Sequence, residues 1–272
     1  MNQVAVIDQA ELNALISELG GGVTQEQDTI KVPFMKFQYE PEDAQGRDVK
    51  RGTIFLSDQP EPVYADSVKL HVMAQYYQYR QTDPDTYKIV NKTILLEDLR
   101  RGEPRDMLGG IRCGRPTGKA LSQMSDEDQK MWRAKVKPFR ILRGVTSYTG
   151  KTADGKEVEV TNQPFQLYMK GLSFMKFDDV LKALPYGKRY QDLWVDLHTS
   201  KEGKAFVANF AIDFAKPAAM TQEVVDSMKL FVEMARQENS KIEESFRSAK
   251  AAGALDDQIY DNVSDDLDQD FA

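Results

Sequence analysis

Hydrophobic positions change their spacing several times along the chain, and each change marks an element. Asp8 and Glu11 frame a capping box, and Leu12, Leu15, Ile16 and Leu19 recur at helical spacing until Gly20-Gly21-Gly22 ends the run. This predicts a helical appendage over residues 1–26. From residue 27 the period falls to two. Ile30, Val32 and Phe34 alternate with Lys31, Pro33 and Met35, and Thr53-Ile54-Phe55-Leu56 follows a Gly-containing turn, as in strands. The alternation over 68–80 predicts a strand with Val68, Leu70, Val72, Ala74 and Tyr76 on one face. Lys69, His71, Met73, Gln75, Tyr77 and Tyr79 then share the other.

Residues 100–125 are rich in Gly, Arg and Pro and have no period, which predicts a long excursion. A short helix around Trp132 follows, then strands over 139–148 and 163–170 separated by a turn containing Asp154-Gly155. A helix over 177–184, with Asp178 and Asp179 in its first turn, precedes the Pro185-Tyr186-Gly187 breaker, and a strand returns at 194–198. Phe206, Ala208, Phe210, Ile212 and Phe214 then place an apolar residue at every second position. Val224, Val225, Met228, Phe231, Val232 and Ala235 predict a closing helix from near Thr221 to about Ala252. The order predicts a mainly β, α+β protein in which an OB-like antiparallel barrel spans 27–216, with a basic excursion at 99–144. The closing helix occupies 217–252 and a tail 253–272. A β-sandwich generates the same alternation and stays open as an alternative.

Charge changes the picture at the C-terminus. The chain has 36 basic and 43 acidic residues, and residues 255–272 hold seven Asp and no Lys or Arg, so residues 1–254 carry no net charge. A like-charged, weakly apolar segment cannot bury enough surface to offset its ordering entropy, which predicts a disordered acidic arm. The body offers a basic counterpart. Residues 99–144 contain twelve Lys and Arg against five Asp and Glu. The twelve cations are Arg100, Arg101, Arg105, Arg112, Arg115, Lys119, Lys130, Arg133, Lys135, Lys137, Arg140 and Arg143. An acidic arm tethered beside a basic surface suggests a polyanion-binding site that the arm occupies when the ligand is absent.

Catalytic signatures are weak. Residues 113–120 imitate a phosphate-binding loop, but Cys113 replaces its first Gly and Ala120 the Ser or Thr that would hold Mg²⁺. Cys113 cannot form an internal disulfide, and with His71 and His198 as the two histidines it gives no zinc spacing. The expectation is a buried or half-buried Cys113, no metal, no cofactor and no enzymatic activity. No apolar run approaches the roughly 18 residues of a membrane span, and no basic segment followed by an apolar one opens the chain. A cytoplasmic protein without a membrane partner is expected, in the host cytoplasm if phage-encoded.

Aromatics interleaved with cations are more informative. Tyr77 and Tyr79, with Lys69 on their predicted face and Arg80 beside them, offer π faces next to positive charge, and Trp132 and Tyr148 repeat the theme within the basic stretch. That combination holds single-stranded nucleic acid, with phosphates on cations and bases stacked on rings. At the C-terminus, Asp265, Asp266, Asp268, Asp270 and Phe271 resemble the acidic, aromatic-tipped tails of single-stranded DNA-binding proteins of bacteria and podophages. The resemblance covers some twenty residues closely, and Ala272 departs from it by following the Phe. It implies an OB-fold that coats single strands, a tail that competes with DNA, and a tail tip that recruits replication or recombination proteins. The resulting expectation is a sequence-independent single-stranded DNA-binding protein, with homo-oligomerisation left open. A phage structural or assembly protein with a solubilising tail, and a metal-dependent enzyme of DNA metabolism, remain the alternatives.

Overall fold

The computed structural model describes residues 32–99, 103–116 and 118–253. The expected appendage at 1–26, Arg100 and Arg101, the side chain of Lys119, and the tail residues Asp265, Asp266, Asp268, Asp270 and Phe271 lie outside the described residues. The strands are β1 (Met35–Phe37), β2 (Ile54–Leu56), β3 (Ser67–Thr82), β4 (Ile89–Lys92), β5 (Val136–Lys151), β6 (Glu157–Met169), β7 (Leu193–Glu202) and β8 (Ala205–Pro217). The helices are α1 (Gly118–Ser122), α2 (Asp126–Lys135), α3 (Leu172–Ala183) and α4 (Gln222–Ala251).

The helix ends follow from their caps. Ser125 accepts from the backbone N–H of Asp128 at the start of α2, whose first turn carries Asp126, Glu127 and Asp128 against the positive end of the dipole. Thr221 caps α4 in the same way by accepting from Val224 N. The expected closing helix forms, starting beside Thr221 rather than at residue 217 and ending at Ala251.

Six strands form one antiparallel sheet in the order β6-β5-β3-β7-β8, with β4 on the far end of β3 beyond the reach of β7. The expected OB-like barrel does not form. The edge strands β6 and β8 do not pair with each other, so the sheet stays open. Its two faces are covered instead. On one, Val68, Leu70, Val72, Leu142, Phe165, Leu167, Val195 and Leu197 pack with Phe177 and Val180 of α3 and with Met35, Ile54 and Leu56 of the β1–β2 ribbon. On the other, Met73 and Val145 pack with Phe231 of α4, and Ile141 and Leu95 with Ala235. Two apolar faces are buried without strand closure, and burial rather than closure is what the hydrophobic effect rewards.

One irregularity inverts the expected faces of β3. Between Val72 and Ala74 the register with β5 shifts, Val72 facing Gly144 and Ala74 facing Arg143, so Met73 is an extra, bulged residue. A bulge advances the alternation by one, and every later side chain changes side. Tyr77 and Tyr79 therefore share the face of Val68, Leu70 and Val72, and Tyr76 and Gln78 turn toward α4. Gly144 stands opposite the bulge, where a Cβ would collide with the carbonyl of His71.

Candidate nucleic-acid interface

The cations and aromatics singled out by sequence divide into two groups. Most of them build the fold. Tyr79 is 4% exposed and packs with Leu96, Leu99, Cys113, Val136 and Phe174, with Trp132 half-buried against the same cluster. Tyr77 meets Phe174 with ring centroids 5.9 Å apart, and its hydroxyl accepts from Nη2 of Arg140 at 3.1 Å. Arg140 is buried, pairs with Asp178 of α3 and lies over the rings of Tyr77 and Phe174. Arg143, on the opposite face, pairs with Glu238 of α4 at 3.0 Å and lies over Tyr76. Their remaining buried N–H groups have no hydrogen-bond partner, and the aromatic faces supply the compensating negative potential.

Further expected contacts are also occupied. Arg112 is buried over Tyr79, Arg105 bridges Glu103 and Glu243, and Lys69 pairs across strands with Asp196 at 3.7 Å. Lys135 is exposed but lies over Trp132. Tyr148 is buried with its hydroxyl donating to Val63 O at 3.3 Å, and burial pushes its pKa up to about 12. The basic stretch at 99–144 is therefore no continuous patch among the described residues. A charge count along sequence cannot see that alternate residues of β5 enter opposite cores. Cys113 is buried as expected, and burial pushes its thiol up.

Arg80, Arg115 and Lys137 have a different fate. They meet in a cleft of about 890 Å³ at one corner of the sheet, together with Lys36, Arg133 and Lys170. The corner exists because the pairing of β5 with β6 stops at Arg140 and Met169, leaving Val136 to Pro138 bonded to β3 alone. Pro138, which has no N–H to give, is tolerated at such a local edge. Beyond Met169 the chain turns at Gly171, whose φ of +58° is readily available only to glycine, and enters α3 directly. Neither a side-chain cap nor an acidic residue occupies the first turn of α3, and Gly171, Leu172 and Ser173 line the cleft. The positive end of that helix dipole adds to the cations.

No Asp or Glu is among the residues that line the cleft. Lys36, Arg80, Arg133, Lys137 and Lys170 form no ion pair among the described residues, in contrast to Arg47, Lys50, Lys69, Lys92, Arg105, Arg140 and Arg143. Arg80 stands directly opposite Lys137 across β3 and β5, a like-charged arrangement that destabilises a sheet when no anion sits between. Burial, and after it the charge of Lys137, holds Lys170 below the ordinary lysine range.

Aromatics accompany the charge. Arg80 lies over Tyr168 at 4.1 Å and Phe139 at 5.2 Å, and Tyr168 meets Phe34 at 5.4 Å. A second pair, Tyr39 and Phe206, meets edge-on at 5.7 Å. Phe34 and Tyr39 are 38% and 50% exposed, so their rings are open to a ligand. Sequence reading singled out Arg133 but not Lys36, Lys170 or these rings, although Phe34, Tyr168, Lys170 and Phe206 fell within expected strands. The available signal was Tyr168-x-Lys170, an aromatic and a cation on one face of a strand, followed by a strand-to-helix glycine.

Among the described residues, no group of three or more His, Cys, Asp and Glu could hold a metal ion, and no helix is long and apolar enough to cross a membrane. Comparison with protein-family models, with curated proteins and with solved structures finds no match to this chain.

Proposed function

We propose that the chain is a sequence-independent single-stranded DNA-binding protein of replication or recombination, and that the corner cleft is its strand-binding groove. The observation that carries this reading is the lining: six cations, no carboxylate, and exposed aromatic rings in one cavity. Five of them, Lys36, Arg80, Arg133, Lys137 and Lys170, form no ion pair among the described residues and repel one another at close range, so they favour a polyanion over an empty site. Exposed rings beside them add stacking worth roughly 1–3 kcal/mol per base, without a pattern of donors and acceptors that would choose a base. The acidic tail is, in this reading, a tethered competitor for the same cations and a recruitment arm for replication or recombination proteins, with Phe271 as its apolar contact.

Electrophoretic mobility shift with a poly-dT oligonucleotide tests the reading. Binding should weaken with salt at a slope of about −0.7 for each phosphate neutralised, and Lys137→Glu combined with Lys170→Glu should abolish it at low salt. A wild-type chain that leaves the oligonucleotide unshifted at 20 mM salt, or a double variant that shifts it as well as wild type, overturns it.

A further inference from the structure

The cleft cation with the most constrained surroundings is Arg80, and the constraint comes from Gln78, two residues back on β3 and on the same, α4-facing side of the sheet. Gln78 is fully buried, and its Nε2 donates to Thr93 O at 2.7 Å and to Glu238 Oε1 of α4 at 3.3 Å. With both donors committed to oxygen acceptors, the amide has one orientation open to it, and Oε1 accepts from Arg80 Nε at 2.6 Å. Glu238 is in turn held by Arg143 at 3.0 Å and Lys92 at 2.9 Å. Arg80 is 9% exposed, its Nε is used by Gln78, its plane lies over Tyr168, and its Nη groups make no hydrogen bond among the described residues. A guanidinium fixed through Nε and by stacking presents its two Nη groups as a fork, and a fork matches the oxygens of a phosphate.

We propose that Gln78 is a positioning residue, which locks Arg80 over Tyr168 so that its Nη fork grips one backbone phosphate together with Lys137 and Lys170. The inference rests on the groove reading for the nature of the strand, but its chemistry needs a phosphate alone. Gln78 does not reach the cleft lining itself, so its whole contribution to binding passes through Arg80.

The test is a double-mutant cycle on the full chain with two probes, poly-dT oligonucleotide and inorganic tripolyphosphate. Gln78→Met, similar in volume and without the amide, should lower affinity for both probes roughly 10-fold or more, the effect of losing one well-placed charge-assisted hydrogen bond. In an Arg80→Ala background the same change should cost less than about 2-fold, because the residue it acts through is gone. Arg80→Lys keeps the charge and the fold but gives up the Nε contact, and it should reproduce the loss seen with Gln78→Met. Equal losses in both backgrounds, or wild-type affinity in Arg80→Lys, would overturn the positioning role. Tripolyphosphate binding that depends on Gln78 without any oligonucleotide binding would support the phosphate seat and sink the nucleic-acid reading. Failure to bind either probe would overturn both.

Discussion

Two tyrosines two residues apart, Tyr77 and Tyr79, combine the residue types of a stacking platform with the burial of a core. Both are held inward, Tyr79 by the cluster around Leu96 and Val136 and Tyr77 by Arg140 and Phe174. Tyr79→Ala should therefore destabilise the fold by about 3–5 kcal/mol, as expected for removing a buried aromatic, and chemical denaturation measures it. Retained stability with weakened DNA binding would return Tyr79 to the interface. His71 makes a second prediction at this scale. It is buried against Trp194 and contacts Gln191 O through Nε2 at 2.7 Å, and burial holds its pKa below the ordinary 6.5 despite that contact and nearby Asp192. The unfolded chain then binds the proton more readily than the folded one, so stability is full above pH 6.5 and declines as pH falls through that value. Unfolding free energies measured between pH 7.5 and 5 should show the decline, and His71→Gln should flatten it. The sequence carried the type of each of these residues. Which side of the sheet Tyr77 and Tyr79 occupied depended on one bulged Met73, for which no local signal such as Gly or Pro exists in 68–80.

At the scale of elements, α4 is fastened by its apolar stripe and by two carboxylates, Glu238 and, at Arg105, Glu243. The stripe was legible, since Val224, Met228, Phe231 and Ala235 recur at helical spacing and Phe231 and Ala235 are indeed buried. Glu238 was not singled out, because one Glu on a charged helix resembles a solvated face. In the fold it receives Arg143, Lys92 and Gln78. Burial alone would raise its pKa, but Lys92 and Arg143 outweigh burial and hold the carboxyl below its ordinary value. Glu238→Ala would leave Arg143 buried without its counter-ion, at a cost of about 3 kcal/mol. The depressed pKa adds stability that is present above the ordinary 4.5 and is lost as pH falls through the folded value. Acid titration of wild type and Glu238→Ala by circular dichroism checks the pair of claims: the variant should lack the acid-dependent step below pH 4.5. A variant as stable as wild type would show α4 to be fastened without Glu238.

For the whole molecule, the prediction concerns competition. Cutting the chain after Gly253 removes the seven Asp of residues 255–272, and affinity for poly-dT should rise at low salt. The gain should vanish near 1 M salt, where the Debye length is about 3 Å. Equal affinity of both forms at all salt concentrations would reduce the tail to a solubilising segment. Period and composition by themselves determined the helices α2 and α4, the strand-rich middle and the charge asymmetry between tail and body, because each rests on neighbours in sequence. Whether the sheet closed, which cations were spent on buried pairs, and which were left unpaired were decided only in the tertiary structure. The cleft draws Lys36, Arg80, the neighbouring Arg133 and Lys137, and Lys170 from four separate segments, and only the open corner where β6 ends short of β5 brings them together. A pattern read along the chain reports which residues prefer burial, whereas a binding site depends on which of the remaining ones meet.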